Sequence, residues 1–239
     1  MTDLVAEIEH TAYETWTADE QAEIGGWTVT SNGGFTRRVN SANVVGSADT
    51  SLATRDAIRA WLAERGAPLA VRVTPLVDPE TVVAVESTWG LDRIDWTPVL
   101  SMEVPPHGGD AFGVQVMPAS DERFTADLVE FNNRSDTSLP AWKRIIERLG
   151  DSGAGLWIPG TAVGIVAIHG PIAAVYSVAV HPDFRRQGCG SMIMAAATRW
   201  AASRGAERIA LQVFGTNEPA LAMYDSLGYE EIYRYSYFQ

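Results

Sequence analysis

One loop of the chain reads Val178-Ala-Val-His-Pro-Asp-Phe-Arg-Arg-Gln-Gly-Cys-Gly-Ser191. The apolar run Ala173–Val180 before it predicts a buried strand, and the pattern at Ser191–Ser203 after it predicts a helix. Backbone N–H groups and the helix dipole point into a glycine-bearing loop at such a position, so that an anion is favoured there. The stretch therefore predicts a phosphate-binding loop.

The residues of this loop narrow the kind of phosphate site. Gly188 and Gly190 let a ligand approach the backbone closely, and Arg185 and Arg186 can clamp phosphate oxygens by paired hydrogen bonds. The Gly-Lys-Ser/Thr of a Walker A motif is absent. Ile193 stands where the third glycine of a dinucleotide fingerprint would be. The loop therefore belongs to neither of these classes.

Two motifs together resemble the GNAT superfamily of N-acetyltransferases. The loop is similar to that family's pattern Arg/Gln-x-x-Gly-x-Gly/Ala. The stretch Asn217-Glu-Pro-Ala-Leu-Ala-Met-Tyr-Asp-Ser-Leu-Gly-Tyr229 is similar to its next signature, an Asn, a helix carrying a Tyr, then Gly-Phe/Tyr. The resemblance covers Asp110 to Gln239. It implies an α/β GNAT fold, in which a mixed, mostly antiparallel central sheet is flanked by helices, and it implies acetyl-CoA as the acyl-donor cosubstrate.

The resemblance also implies a set of cofactor-binding residues. The strand end formed by Val178, Ala179 and Val180 pairs its backbone with the pantetheine arm, and an N–H there polarises the thioester carbonyl. Asn217 either caps the following helix or contacts the cofactor. The pyrophosphate is held by the loop residues, which are Arg185, Arg186, Gln187, Gly188, Cys189, Gly190 and Ser191. No metal is implied.

Tyr224 is the candidate general acid, because a phenol with an ordinary pKa of about 10 is protonated at neutral pH and can protonate a leaving thiolate. The general base is not assigned. The strand Glu of many family members falls at about Ala174, which cannot take a proton. His181, Glu130, Asp127, a relaying water molecule and an already neutral amine remain alternatives.

The chain also contains an internal repeat. Trp61-Leu-Ala-Glu-Arg-Gly-Ala67 and a strand-like run are matched by Trp200-Ala-Ala-Ser-Arg-Gly-Ala206 and a second run, and a helix and a strand come after each. We expect two GNAT-like units in tandem: residues 1–104 as a degenerate copy, 105–110 as a linker and 111–239 as the catalytic copy. The copies differ at the cofactor loop, because residues 40–49 have one glycine and no arginine pair.

Two strand predictions concern the beginnings of these copies. Residues 25–43 predict a hairpin in which Trp27 and Val29 turn through Asn32-Gly33-Gly34 into the stretch from Phe35 to Val39. This region resembles a group of actinobacterial GNAT proteins, some described as N-acetylglutamate synthases. Phe112–Val116 predicts the first strand of the second copy.

Composition limits the partners and the compartment. The 239 residues carry a formal net charge of −12, which argues against nucleic acid as a partner. No apolar run is long enough to cross a membrane, and the single cysteine, Cys189, cannot form an internal disulfide, so we expect a cytoplasmic protein. The sequence leaves the oligomeric state open.

These observations predict an acetyl-CoA-dependent N-acetyltransferase that acts on the amine of a small molecule. The alternative is a non-catalytic acetyl-CoA-binding regulatory protein, given the degenerate first copy and the missing strand Glu. An amino acid such as glutamate would need cations for its carboxylates, for which Arg37, Arg38 and Arg134 are available. A cationic amine fits the negative charge of the chain better.

Overall fold

The computed structural model describes residues 2–33, 36–106, 112–132 and 139–239. Contacts divide the chain into two compact units. The first unit comprises Met1–Ala6, Thr17–Pro98 and Tyr233–Gln239, and the second comprises Glu7–Trp16 and Val99–Ile232. No helix in the described ranges is both long and apolar enough to span a bilayer.

The N-terminal part of the chain contributes three helices and five strands within the described residues, in the order α1 Thr2–Thr15, β1 Glu20–Ile24, β2 Trp27–Ser31, β3 Ser41–Asn43, α2 Leu52–Ala63, β4 Val71–Val73, α3 Pro79–Ser87 and β5 Arg93–Glu103. The C-terminal part contributes four helices and six strands, counted over the same residues, in the order β6 Gln115–Met117, α4 Glu122–Phe131, α5 Leu139–Leu149, β7 Gly153–Ile158, β8 Ala162–His169, β9 Ile172–Val180, α6 Cys189–Ser203, β10 Arg208–Gln212, α7 Glu218–Ser226 and β11 Glu230–Phe238.

The first unit begins with a hairpin whose turn the sequence placed wrongly. Gly25 and Gly26 join β1 to β2, and both have positive φ, 60° and 85°, as a two-residue hairpin turn of type I′ requires. The predicted return strand through Val39 is wrong, since Arg37–Val39 forms a 3₁₀ helix. Gly34 and Phe35 lie outside the described residues. Strand β1 escaped prediction because its sequence, EQAEI, is polar and mostly exposed.

The sheet of the first unit has the order β1, β2, β3, β4 and the end of β11. β3 and β4 pair in parallel, and the other pairs are antiparallel. Helices α2 and α3 bury Ile58, Leu62 and Val85 in one core with Trp27 and Phe238. All five of these side chains are fully buried, so hydrophobic burial holds the helices on the sheet.

The sheet of the second unit has the order β5 (from Val99), β10, β9, β8, β7 and β6. β9 and β10 are parallel, and the other described pairs are antiparallel. Glycines let a helix approach each face: a Cβ on Gly164 would lie 2.6 Å from Ile193 of α6, and one on Gly155 would lie 2.9 Å from Phe124 of α4. The predicted mixed, mostly antiparallel sheet flanked by helices is confirmed.

The internal repeat is confirmed as secondary structure, because α2-β4-α3-β5 recurs as α6-β10-α7-β11. The end of the last strand of each copy, however, belongs to the unit of the other copy, since β5 passes from the first unit to the second after Pro98 and β11 passes from the second to the first after Ile232. Val99–Glu103 pairs with β10, and Ser236–Phe238 pairs with β4. Division into sequence copies and division into compact units are therefore different.

The beginning of the second copy differs from its prediction. β6 spans Gln115–Met117 rather than Phe112–Val116, and Phe112 is 80% exposed. Phe112 is an isolated apolar residue next to Gly113. Its ring stays exposed, so it contributes little burial that would stabilise a longer strand. Residues 107–110 of the predicted linker lie outside the described part of the chain.

Candidate active site

Strands β9 and β10 diverge within the second unit. Their parallel pairing runs from Ile172 opposite Arg208 to Val175 opposite Leu211, the last pair found between them in the described chain. β9 continues to Val180, and its other edge stays paired with β8 up to Ala162 opposite Val180. The backbone of Val178, Ala179 and Val180 therefore faces an opening on the β10 side, here called the fork.

A β-bulge lies at the start of the fork. The β8–β9 register shifts between Val163 and Ile165, and Ser177 has a positive φ of 52°. Such an extra residue bends a strand and re-aims the residues after it. Beyond the bulge, the side chains of Val178 and Val180 pack against the core of α6 and α7. These valines are therefore half-buried residues at the edge of the core, and their backbone borders the fork.

The predicted anion loop comes directly after the fork. Arg186 and Gly188 have positive φ, 62° and 82°, and α6 begins at Cys189 with Gly188 as its N-cap. Gly188 has no side chain to cap the helix, and the first helical hydrogen bond runs from Met192 N–H to Gly188 O at 3.0 Å. The N–H groups of the first helical turn thus point out of the helix end, where an anion can accept from them.

The polar side chains of this loop fix its shape and carry its charge. Arg185 Nε donates to the carbonyl of Val180 at 3.3 Å, and Gln187 Nε2 donates to that of Asp183 at 3.1 Å. Arg185 and Arg186 are both exposed. The arginine pair therefore places two positive charges beside the helix N-terminus.

Helices α6 and α7 approach closely at the loop. A Cβ on Gly190 would lie 2.8 Å from Sδ of Met223, so a larger residue at position 190 would displace that side chain. Asn217 accepts from the N–H of Ala220 at 3.3 Å and is thus the N-cap of α7. Asn217 therefore has the capping role that the sequence suggested, and its contact with a cofactor stays a prediction.

Tyr224 lies on the buried face of α7. Its side chain belongs to the same core cluster as Ile193 and Val175, against which Val178 and Val180 pack. Burial raises the pKa of Tyr224 to about 12. The phenol is therefore protonated throughout the physiological pH range, as a proton donor must be.

The base alternatives differ in their surroundings. Asp127 Oδ2 accepts from Trp157 Nε1 and from the N–H of Gly160, both at 2.7 Å, so this carboxylate ties α4 to the β7–β8 turn. Glu130, also on α4, is exposed. Ala174 is buried in β9 and has no ionisable group.

His181 has a local structural contact as well. Its Nδ1 accepts from the N–H of Asp183 at 3.4 Å, and its ring lies edge-on to Phe131 with centroids 5.4 Å apart. A neutral imidazole that accepts at Nδ1 carries its proton on Nε2. Through this contact the ring orients the start of the loop, and its role as a base stays a prediction.

The arginines considered for a carboxylate-bearing acceptor lie elsewhere or are not described. Arg37 forms an ion pair with Asp95 at 2.5 Å. The positive charges of Arg37 and Arg38 also act to lower the pKa of Tyr237, and all of these residues belong to the first unit. Arg134 lies outside the described residues. The two described arginines thus belong to the first unit, and the fork belongs to the second.

The first unit has a counterpart of the fork, and it is closed. β3 and β4 pair in parallel at Ala42 and Val71. Four residues beyond Ala42, the N–H of Gly46 donates to Leu76 O at 2.7 Å, and Gly46 O accepts from the N–H of Asp78 at 2.8 Å. The backbone edge that is open in the second unit is hydrogen-bonded here.

Sequence reasoning missed helix α1 as a neighbour of the fork. Within the second unit, Thr15 and Tyr176 share a hydrogen bond of 2.7 Å, and Trp16 stacks on Tyr176 with ring centroids 4.5 Å apart. The sequence does contain a signal for this helix, because the spacing of Val5, Ile8 and Ala12 is that of a buried helical face.

Comparison with known proteins agrees with this geometry. Residues 2–238 match the family described as probable histone acetyltransferase Rv0428c, C-terminal. The chain therefore belongs to this family and, with it, to the GNAT superfamily.

Three relatives illustrate the range of the likeness. The mycothiol acetyltransferase of Saccharomonospora viridis is 40% identical over 26% of this chain, which spans only 20% of that protein. A GCN5-related N-acetyltransferase from Kribbella flavida has a TM-score of 0.69 at 18% identity, with 98% of this chain and 94% of that one covered. A tandem GNAT protein from the clavulanic acid biosynthesis pathway has a TM-score of 0.63 at 14% identity, with 89% and 76% covered. The two structures share the fold of this chain.

Proposed function

We propose that this protein is an acetyl-CoA-dependent N-acetyltransferase that transfers the acetyl group directly to the amine of a small molecule. The observation that carries the proposal is the fork, whose open β9 edge leads into an uncapped helix N-terminus flanked by two arginines. An extended amide-bearing chain that ends in a pyrophosphate fits this sequence of donors and acceptors. Acetyl-CoA is such a molecule, and its thioester supplies an activated acetyl group.

Different residues of the chain bind different parts of acetyl-CoA. The N–H groups of Gly188, Cys189, Gly190 and Ser191 bind the pyrophosphate oxygens, and Arg186 adds charge. The backbone of Val178 to Val180 pairs with the pantetheine amides, and an N–H of this edge polarises the thioester carbonyl. These donors are fixed before the ligand arrives, so they need no reorganisation as negative charge develops on that oxygen.

Tyr224 donates its proton to the leaving thiolate. The raised pKa supports this role in one respect, since the phenol keeps its proton wherever the enzyme works. It also means that the phenol acts first as a hydrogen-bond donor to the developing negative charge. Because Asp127 and His181 make local contacts, we assign deprotonation of the acceptor amine to water or to the binding of an already neutral amine. Exposed Glu130 is the remaining side-chain alternative.

The proposed site lies in the second sequence copy alone, residues 111–239, after a linker at 105–110, and residues 1–104 form the degenerate copy. Closure at Gly46 supports this assignment. We further propose that the protein works in the cytoplasm. A lysine of a basic protein is a second acceptor class, favoured by the net charge of −12 and by the name of the family.

The test is thiol release from acetyl-CoA in the presence of a panel of small amines and one lysine-rich peptide. We expect turnover with at least one small amine, and a lower turnover in Tyr224→Phe. Tight binding of acetyl-CoA with no thiol release across the whole panel would favour the alternative, a non-catalytic acetyl-CoA-binding regulatory protein.

A further inference from the structure

Helix α7 ends in a motif that fixes the backbone of Tyr224 to that of Tyr229. Gly228 has a positive φ of 85°, the conformation in which a glycine commonly ends a helix. The N–H of Tyr229 donates to the carbonyl of Tyr224 at 3.0 Å, and the N–H of Gly228 donates to that of Asp225 at 3.0 Å. These two hydrogen bonds define a Schellman motif, which holds Tyr229 back against the last turn of the helix.

The motif also brings two aromatic rings together. The rings of Tyr224 and Tyr229 meet edge to face, with their centroids 5.7 Å apart and an interplanar angle of 62°. Both side chains are buried, at 6% and 5% exposure, in one core cluster with residues of α6. A ring that is packed at the density of a protein interior turns only when its neighbours move aside. The Tyr229 ring therefore limits the orientations that are open to the phenol of Tyr224.

The contact depends on the ring of Tyr229 and not on its hydroxyl. The hydroxyl oxygen of Tyr229 is buried and has no hydrogen-bond partner in the described part of the chain. Thr198 of α6 lies near it, but the Thr198 hydroxyl donates to the carbonyl of Met194 at 2.9 Å. Phenylalanine at position 229 would therefore keep the packing and lose no hydrogen bond.

The first sequence copy has the same glycine without the aromatic pair. Gly90 is the counterpart of Gly228, and it also has a positive φ, 65°. Four residues before it, Glu86 stands where Tyr224 does in the second copy, and Leu91 follows the glycine in place of a tyrosine. The glycine that ends the helix is thus common to both copies, whereas the ring contact belongs to the copy that carries the fork.

We propose that Tyr229 is a positioning residue for the general acid, because its ring holds the Tyr224 phenol in the orientation that protonates the leaving thiolate. This inference rests on the proposed function, since it takes Tyr224 to be the proton donor. Tyr229 itself exchanges no proton in this role. Misplacing a catalytic group by about 1 Å can cost about 100-fold in rate, so the restriction of one side chain has a measurable effect.

Ring dynamics test the positioning without any turnover. In protein labelled with ¹³C in the tyrosine rings, the Tyr224 signals are identified by their loss in Tyr224→Phe, and their line shapes give the rate at which the ring flips. We expect flipping to be at least about tenfold faster in Tyr229→Leu, which removes the opposing ring, and unchanged in Tyr229→Phe, which keeps it. Leu91→Ala truncates the matching buried residue of the first unit and is the control, which should leave the Tyr224 ring as it is.

Kinetics connect the positioning with the reaction. We expect Tyr229→Leu to lower kcat per folded molecule about tenfold or more with an unchanged affinity for acetyl-CoA, and we expect Tyr229→Phe and Leu91→Ala to retain kcat. In a Tyr224→Phe background, Tyr229→Leu should cause no further loss, because it acts only through the phenol that is already gone.

Three results would overturn the inference. They are a Tyr224 flip rate that Tyr229→Leu leaves unchanged, an equal further loss of kcat in the Tyr224→Phe background, and a Tyr229→Phe variant that is as slow as Tyr229→Leu. If Tyr229→Leu releases the Tyr224 ring as expected while the wild type releases no thiol with any amine, the restraint on Tyr224 stands and the proposed function fails.

Discussion

The N–H of Gly46 donates to the carbonyl of Leu76 at 2.7 Å and so joins the segments that follow β3 and β4 in the first unit. In the second unit, the corresponding ends of β9 and β10 separate. A ligand that needs the backbone edge of the first unit would have to break this bond first. We therefore predict one acetyl-CoA site per chain, and titration calorimetry measures the stoichiometry directly. Two equal sites would contradict it.

A matched pair of glycine variants locates that site. Gly188 and Gly46 both have positive φ, 82° and 74°, and no described atom lies within 4 Å of an added Cβ at either position. Alanine should cost about 1–2 kcal/mol of backbone strain at each. We expect Gly188→Ala to weaken acetyl-CoA binding by about tenfold or more, and Gly46→Ala to lower thermal stability without changing the dissociation constant. Equal affinities of the two variants would place the cofactor elsewhere.

Tyr224→Phe separates catalysis from binding. Without a proton donor for the thiolate, turnover should fall roughly 10- to 1000-fold with little change in acetyl-CoA affinity. Steady-state kinetics with the best amine of the panel measures turnover, and calorimetry measures the dissociation constant of acetyl-CoA. Unchanged turnover would make Tyr224 a packed aromatic residue and nothing more.

Local patterns explain which parts of this structure the sequence could predict. Each of the two Trp-containing repeats predicts a helix and the strand after it, and the glycines of the loop at 188–190 indicate the start of a helix. Elements α2, β4, α3, α6, β10 and α7 all form near their predicted positions. Each rests on apolar periodicity or turn chemistry within a few residues of the chain.

Features that depend on distant pairing were not predictable in the same way. The fork exists because Leu211 is the last partner of β9 on that edge in the described chain, and the exchanged strands exist because Ser236–Phe238 pairs with β4. A one-dimensional pattern records which face of a strand is apolar, but not which strand lies beside it. The contact between Thr15 and Tyr176, 161 residues apart, is of this kind too.

Asp127 serves to test the base alternatives. Its carboxylate accepts two hydrogen bonds of 2.7 Å, so Asp127→Asn should cost about 1.5–3 kcal/mol of stability. Activity per folded molecule and its pH profile should not change. Glu130→Gln, on the same helix but exposed, is the control and should leave stability as it is. Loss of the acidic limb of the pH profile in Asp127→Asn, together with a fall in activity, would identify this carboxylate as the base.

Buried tyrosines predict a loss of stability in alkali. Burial raises the pKa of Tyr224 to about 12 and raises the pKa values of Tyr229 and Tyr237 as well. Unfolded tyrosine releases its proton near pH 10. Above that pH the unfolded state binds fewer protons than the folded state, so the free energy of unfolding falls as pH rises.

Urea midpoints between pH 8 and pH 11.5 measure this dependence. We expect a steady urea midpoint up to about pH 10 and a steep decline above it. The decline should be shallower in Tyr224→Phe, because one phenol fewer releases a proton on unfolding. A midpoint that stays constant to pH 11.5 would show that these phenols are hydrated in the folded protein.

The reactivity of the Cys189 thiol measures whether a ligand occupies the loop. Cys189 is the only cysteine of the chain, it occupies the first position of α6, and its half-buried side chain packs against the α6–α7 core. A pyrophosphate held by the neighbouring N–H groups would cover it. Because only free protein reacts, labelling by a thiol reagent should slow about 100-fold at a CoA concentration of about 100 times the dissociation constant.

The modified protein should in turn fail to bind CoA, and Cys189→Ser should bind normally, because the cofactor needs the backbone N–H at this position and not the thiol. Gly188→Ala should lose the protection in proportion to its lost affinity, which ties the shielding to this loop. Equal labelling rates with and without CoA would mean that the loop does not enclose the cofactor.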